Sequence, residues 1–472
     1  MTEQNTEVDV VVIGGGPAGE NVAGRVVRGG LSCAVVEDHL AGGECSYYAC
    51  IPSKALLRPM ELAAEVSRVR GLELAGPIDV PAVLAARDRA VAHLDDSGQA
   101  DWIIGLPALL VRGRGRLAGD RLVEVTTHDG AVTRLRARHA VVLATGSVPV
   151  VPDVPGLAAA RPWFSRNATS VRAVPSRLVV LGGGVVACEM AQALHALGAT
   201  ETTMLVRGDR LLGRMEPFAG ELLADSLRAA GIDVRMGTKV TGVERAADGG
   251  PVTVLLAGGD QVEADELLVA TGRRPATDGL QLDELGLELN GAVQVDDSMR
   301  VPGSGWLYAV GDVNGRNLLT HMGKYQARVC GDVIVARAHG RPDDALSLRD
   351  SADGRGAPQV VFTDPQVCAV GRTEEAARAD GFEVRVVEYD MGRVAGASLQ
   401  GERYQGRAKA VVDERRRVLL GVTFAGPAVA ELLHAATIAV TAEVPLETLW
   451  HAVPAFPAVS EIWLRLLEEY GL

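Results

Sequence analysis

The sequence predicts an α/β protein made of two similarly wound βαβ folds, one inserted in the other, followed by a C-terminal α+β part. Three observations predict it. Two apolar strands each run into a triple-glycine turn, Ile13 into Gly14-Gly15-Gly16 and Leu181 into Gly182-Gly183-Gly184. Each half then ends on the same tripeptide, Ala144-Thr145-Gly146 and Ala270-Thr271-Gly272, the mark of a repeated layout. Beyond about Gly356 the texture changes to strands mixed with helices: Glu383–Tyr389, Ala408–Val412, Val418–Phe424 and a closing helix over Ile462–Tyr470.

Composition agrees. A chain of 472 residues is too long for one ordinary domain. Hydrophobic residues reach 47% while aromatics are only 4%, which suits closely packed βαβ units of small and branched side chains. A net charge of −13 argues against nucleic acid as a partner. The six cysteines are too few for a secreted disulfide scaffold; Cys33, Cys188, Cys330 and Cys368 sit singly in apolar surroundings, where inert thiols are usual. The N-terminus is polar and acidic, unlike a signal peptide. No apolar run reaches membrane-spanning length. A cytoplasmic protein with no membrane partner is expected.

In chain order, Val8–Ile13 leads into Gly14-x-Gly16-x-x-Gly19, a helix to Arg28, and a second strand Ser32–Val36 that ends in Glu37. This is the Rossmann-like unit a dinucleotide needs. The glycines let backbone N–H groups approach the pyrophosphate at a helix N-terminus, and the acid takes the ribose hydroxyls. Helical pattern fills Ser53 to about Ala100, broken near Gly71–Pro81. Short strands follow at Ala108–Val111, Leu122–Thr126 and Arg134–Ala137, then the run Ala140–Gly146. A proline-marked linker opens the second unit, with strands Leu178–Leu181 and Thr203–Val206, and Glu266–Val269 at its end. Its second strand runs into Arg207, with Arg210 and Arg214 behind, rather than into an acid. Arginine forks a 2′-phosphate that an acid would repel, so NADPH is favoured over NADH. Leu307–Asp312 returns the chain to the first fold.

The stretch with the most chemistry is Gly42–Lys54, in which Cys45 and Cys50 are separated by four residues and followed by Ile51-Pro52-Ser53-Lys54. Such a pair can close a small loop as a disulfide and reopen as a dithiol, provided one thiolate is accessible. The plainer alternative is two structural core cysteines. The redox reading is preferred because the pair follows directly on a nucleotide fold.

Together with Val310-Gly311-Asp312 and Phe362-Thr363-Asp364-Pro365, these motifs resemble the pyridine nucleotide–disulfide oxidoreductases, the group of dihydrolipoamide dehydrogenase, glutathione reductase and mercuric reductase. The resemblance implies an FAD domain over 1–150 and 275–350, an NAD(P) domain over 151–274, and a dimerisation domain over 351–472. It implies a homodimer. It also implies that Gly14, Gly16, Gly19, Glu37, Gly43, Lys54, Gly115, Thr145, Gly146, Gly311, Asp312 and His321 lie around FAD. Gly182, Gly184, Arg207, Arg214 and Gly272 would lie on the nicotinamide side. Cys50 would face the flavin, Cys45 would meet the acceptor, and Lys54 would be held by Glu189.

The chain departs from the family at its C-terminal signature, where a histidine moves a proton for the interchange thiol and a glutamate orients it. Here the stretch reads Phe456-Pro457-Ala458-Val459-Ser460-Glu461, so Glu461 is kept and none of the nine histidines fills the slot. His451, five residues upstream, reads as packing or surface. A positioned acid–base group contributes ~10²–10⁴-fold. Alkyl disulfides with high-pKa leaving thiols suffer most from its loss; quinones, metal ions and disulfides of acidic thiols suffer least. In the redox loop, Glu44 offers either a substitute acid or, as the preferred reading, a partner for backbone N–H groups, and Tyr47-Tyr48 are expected to shape an acceptor site or pack beneath the loop. Val185 replaces a gating tyrosine. The absence of cysteine after Cys368 speaks against a dedicated mercury role.

The expected function is therefore an FAD-dependent, NADPH-preferring oxidoreductase that acts on a small-molecule acceptor other than glutathione disulfide. The alternative is a redox-sensing flavoprotein with idle NADPH oxidation that switches a protein partner.

Overall fold

A computed structural model describes residues 5–246, 249–283, 286, 291–402 and 404–472; the first four residues of the polar N-terminal stretch lie outside it. By contact the chain divides into two compact units. Met1–Pro52, Asp88–Val150 and Arg273–Asp353 form the first; Ser53–Arg87, Val151–Gly272 and Gly354–Leu472 form the second. This division follows contacts, so the middle and C-terminal parts that the sequence separates fall in one unit.

The first unit opens with β1 (Asn5–Ile13), α1 (Pro17–Arg28) and β2 (Cys33–Glu37). Val10–Ile13 pairs in parallel with Cys33–Val36 on one side and Ala140–Leu143 on the other. Val10, Val11 and Val12 are fully buried, as an unbroken apolar run must be when both faces of a parallel sheet are covered. α1 starts on Pro17, whose fixed φ suits the first helical position, and turns Gly19, Val22, Ala23 and Val26 inward. The sheet order is Leu109–Arg112, β2, β1, Val132–Leu143, Leu122–Thr126, Arg114–Leu117. Leu307–Ala309 adds in parallel to Val141–Leu143 and brings the chain back.

One expectation changes. The segments Arg134–Ala137 and Ala140–Leu143 are a single 12-residue strand, Val132–Leu143. A register shift between Val8 and Val10 absorbs the polar Arg138-His139 step. The first half of the strand pairs antiparallel with Leu122–Thr126, and the second half closes the parallel core.

A short helix α2 (Gly43–Tyr47) precedes the stretch expected to be helical from Ser53 onward, which resolves into α3 (Cys50–Arg68) and further helices at Val80–Ala90 and Ser97–Gly105. In the second unit, four parallel strands lie in the order Asp233–Arg235, Glu201–Leu205, Arg177–Leu181, Glu266–Val269. The helix Val185–Ala196 is apolar nearly all round and buries Ala187, Met190, Ala191 and Leu194. A three-stranded meander (Val240–Arg245, Val252–Leu256, Gln261–Ala264) is antiparallel. The C-terminal part is a five-stranded antiparallel sheet with Val418–Gly426 at its centre. The helix Ile462–Tyr470 belongs to that part's core, where the Trp463 ring meets Phe424 edge-on at 5.7 Å. The observed class is the expected α/β layout with a C-terminal α+β part. Among the described residues no helix is long and apolar enough to cross a membrane.

Candidate active site

In the first unit the glycine turn is fixed by close backbone approach. Gly14 has φ +108°, and a Cβ there would lie 2.3 Å from the Ala144 carbonyl oxygen. A Cβ on Gly19 would lie 1.9 Å from the Gly14 oxygen. Gly16 caps α1 in extended conformation. The Gly15 N–H donates to Glu37 Oε2 at 2.7 Å, and Glu37 Oε1 accepts from the His39 N–H at 2.7 Å. Gly43 abuts the same loop: a Cβ on it would stand 2.7 Å from Gly16 Cα. Gly115 lies against Ile13 and Val36, Thr145 Oγ1 donates to the Ala276 carbonyl at 2.7 Å, and Gly146 takes φ +75°.

Cys45 lies on α2 and Cys50 opens α3. Both are unbridged, and their thiols are hydrogen-bonded to each other. The bond from Cys50 and then burial push the Cys45 thiol up, against an opposing pull from Thr320 and Lys324. Cys50 Sγ is 3.4 Å from Thr320 Oγ1, at the start of the helix Thr320–Ala338. His321 follows, exposed. Tyr47 is buried and its hydroxyl donates to Gln99 Oε1 at 3.0 Å, so it packs beneath the loop.

A cluster that the sequence reading did not anticipate joins four residues of this unit. Arg273 donates to Glu44 Oε2 and to the Ser147 carbonyl, both at 2.6 Å, and to Ser147 Oγ at 2.8 Å. Ser147 Oγ in turn donates to Asp312 Oδ2 at 2.5 Å. Burial raises the Asp312 carboxyl, opposed by Ser147 and Arg273. Beside Asp312, the Gly311 N–H donates to Gln326 Oε1 at 2.8 Å. Glu44 thus pairs with a guanidinium where backbone N–H groups were expected. The available signal was Arg273, the residue directly after Ala-Thr-Gly.

In the second unit, Lys54 on α3 donates to Glu189 Oε2 at 2.8 Å. Glu189 is only 3% exposed, and its other oxygen accepts from the Phe362 N–H at 2.9 Å. The Lys54 ammonium also lies 4.9 Å from the Phe362 ring centroid. Gln192 clasps the Asp364 backbone, accepting from its N–H at 2.8 Å and donating to its carbonyl at 2.9 Å. The motif Phe362-Thr363-Asp364-Pro365 is therefore what seats the helix bearing Glu189. In the second glycine turn, a Cβ on Gly182 (φ +134°) would stand 2.4 Å from the Ala270 oxygen; Gly184 caps the following helix and Gly272 takes φ +138°. Arg207 and Arg214 are solvent-exposed beyond the strand Glu201–Leu205. Glu461 is buried and bound by Arg465, while its Oε2 has no hydrogen-bond partner among the described residues. Phe456 is 75% exposed and His451 is exposed.

These residues fit a dinucleotide in the first unit. A loop that tolerates no Cβ delivers backbone N–H groups at the N-terminus of a 12-residue helix, and a carboxylate closes the end of the second strand. The second unit has the same loop with a cation in place of the acid.

Comparison with known proteins agrees along the chain. Residues 8–340 match the family described as pyridine nucleotide-disulphide oxidoreductase, and residues 357–466 match that family's dimerisation domain. A dihydrolipoyl dehydrogenase of Chlamydia muridarum is 30% identical over 97% of this chain and 96% of its own length. One of Thermus scotoductus is 34% identical over 96% and 95%. In fold, the structure of the Cu(II) complex of the HOCl-induced flavoprotein disulfide reductase RclA from Escherichia coli superposes with a TM-score of 0.84. It has 23% identity and covers 99% of each chain. The glycine turns, the paired cysteines and these matches lead to one conclusion: the chain belongs to the pyridine nucleotide-disulphide oxidoreductases, NAD(P)H-dependent flavoenzymes that use FAD and a nicotinamide nucleotide.

Proposed function

We propose that this enzyme prefers NADPH and passes its electrons through the Cys45–Cys50 pair to an acceptor other than glutathione disulfide: an unusual disulfide, a quinone or a metal ion. The observation that carries this reading is the stretch Phe456–Glu461. Phe456 is exposed where the family carries a histidine, and the glutamate that would orient that histidine is taken up by Arg465. Residues 1–150 and 275–350 hold FAD in this reading, 151–274 hold the nicotinamide nucleotide, and 351–472 form the homodimer interface, as the match to the dimerisation domain supports. The few scattered cysteines fit a reducing, cytoplasmic setting.

FAD, when bound, supplies a two-electron carrier between nicotinamide and sulfur. The backbone of Gly14–Gly19 and the Glu37 carboxylate hold its nucleotide end, and Asp312, poised by Ser147 and Arg273, takes its chain. Lys54 offers a cation whose place is fixed by Glu189, itself held at both oxygens. Arg207 and Arg214 take the 2′-phosphate. Cys50, against Thr320, is the inner thiol; Cys45 is the outer one that meets the acceptor.

The test is an acceptor panel with NADPH. Turnover of glutathione disulfide is expected to be ~10²–10⁴-fold below that of a quinone or an aryl disulfide, the span a positioned acid–base group commands. Rapid glutathione disulfide reduction contradicts the reading.

A further inference from the structure

Where the redox turn meets the first glycine loop, two carboxylates share one guanidinium. Glu44 is the residue before Cys45 on α2. The start of α2 lies directly on the glycine loop: the Gly42 N–H donates to the Gly15 carbonyl at 2.8 Å, and a Cβ on Gly43 would stand 2.7 Å from Gly16 Cα. A carboxylate beside a loop that would seat a diphosphate opposes binding unless a cation answers it. Arg273 is that cation, and its own place does not depend on Glu44. Its strand Arg273–Pro275 pairs antiparallel with Ser147–Pro149; its Nε donates to Ser147 Oγ at 2.8 Å and its Nη2 to the Ser147 carbonyl at 2.6 Å. The same Nη2 donates to Glu44 Oε2 at 2.6 Å. Ser147 Oγ carries the chain on to Asp312 Oδ2 at 2.5 Å.

We propose that Arg273 is a positioning residue shared by the redox turn and the FAD site: it neutralises Glu44, which would otherwise oppose FAD, and thereby pins the turn that carries Cys45 to the group that sets Asp312. This rests on the reading of Asp312 as a partner of FAD and of Cys45–Cys50 as the relay, and it adds Glu44 and Arg273 to that site. Both partners of the ion pair are partly buried, so solvent screens their interaction only in part. The Asp312 carboxyl lies in the same field: burial raises it, Ser147 and Arg273 pull it down, and Glu44 pushes it up.

The arrangement makes the two partners unequal. Without the guanidinium, Glu44 and Asp312 repel each other and any diphosphate at the glycine loop. Without Glu44, Arg273 keeps both of its bonds to Ser147, and through Ser147 its hold on Asp312. What is lost then is the tether on α2, a helix of only five residues with Cys45 next to the tethered position. Loss of Arg273 therefore acts on FAD, whereas loss of Glu44 acts on the turn.

The experiment is a double-mutant cycle on FAD affinity, read by fluorescence titration of the whole-chain apoprotein, with the thermal midpoint of each apoprotein as the control for folding. Arg273→Gln should weaken FAD binding ~10–100-fold, the worth of hydrogen bonds to a charged group. Arg273→Lys, which keeps the charge and loses the fork, should fall between it and the wild type. Glu44→Ala should bind FAD as tightly as the wild type or more tightly. The double variant Glu44→Ala/Arg273→Gln should bind FAD ~10-fold better than Arg273→Gln alone, a rescue that loss of packing does not produce. The turn gives a second readout: in dithiol-state Glu44→Ala apoprotein, iodoacetamide should alkylate Cys45 several-fold faster than in the wild type, as read from its peptide by mass spectrometry. A double variant no better than Arg273→Gln, a loss in Glu44→Ala as large as in Arg273→Gln, or unchanged alkylation of Cys45 overturns the proposal. Should Arg273→Gln not fold, Arg273→Lys with and without Glu44→Ala closes the same cycle. Asp312→Asn separates this proposal from the reading beneath it. If Asp312→Asn binds FAD like the wild type, that reading fails and this one with it; if Asp312→Asn weakens FAD while the cycle shows no rescue, this proposal alone fails.

Discussion

In the first βαβ fold a Cβ on Gly14 would stand 2.3 Å from the Ala144 oxygen; in the second, a Cβ on Gly182 would stand 2.4 Å from the Ala270 oxygen. The steric device is the same, down to the Ala-Thr-Gly strand end that supplies the clashing carbonyl. Two things differ. The first fold packs Gly19 against the Gly14 oxygen where the second has Ala187, and the first ends its second strand in Glu37 where the second continues into Arg207. Backbone geometry is therefore the device the two loops share, and in the proposed reading the charge beyond the second strand tells one nucleotide from another.

The largest effects should come from filling the two cradles. Gly14→Val places a branched side chain at φ +108° against backbone. It should yield protein without flavin absorbance, destabilised by about 4 kcal/mol or more in thermal unfolding. Gly182→Val should give protein that stays yellow but is no longer reduced by NADPH in a stopped-flow spectrum. If Gly182→Val also lost its flavin, the two cradles could not be separate devices. Next in size is the charge at the second fold. Arg207→Glu should lower kcat/KM for NADPH by ~10–100-fold, the worth of a charge-assisted hydrogen bond, and leave NADH within a few-fold. Equal losses with both nucleotides would remove Arg207 from recognition. The smallest effect is expected at the one glycine the second fold lacks. Ala187→Gly should cost about 1 kcal/mol or less of stability, from helix propensity and a small void, with NADPH affinity unchanged.

Much of this was legible because it is local. Gly14, Gly16, Gly19 and Glu37 are spaced by the geometry of one βαβ unit, so a single stretch of sequence carries the whole device. The same is true of Cys45 and Cys50, and of the helix Ile462–Tyr470, whose apolar spacing marks both of its ends. What could not be read is what long-range closure creates. Glu44 and Arg273 are far apart in sequence, and only the pairing of Ser147–Pro149 with Arg273–Pro275 brings the guanidinium to the carboxylate. The Lys54–Glu189 contact lay between: each residue is plain in isolation, and the family resemblance supplied the pairing that the 2.8 Å bond now displays.

The strand Val132–Leu143 needs Leu307–Ala309 beside its second half. During synthesis the ribosome delivers the whole inserted fold before that last strand exists. The nascent first sheet must wait with one edge bare, although the four parallel strands of the insert all lie between Arg177 and Val269. A chain cut short before residue 307 therefore carries an open strand edge, a template for aggregation.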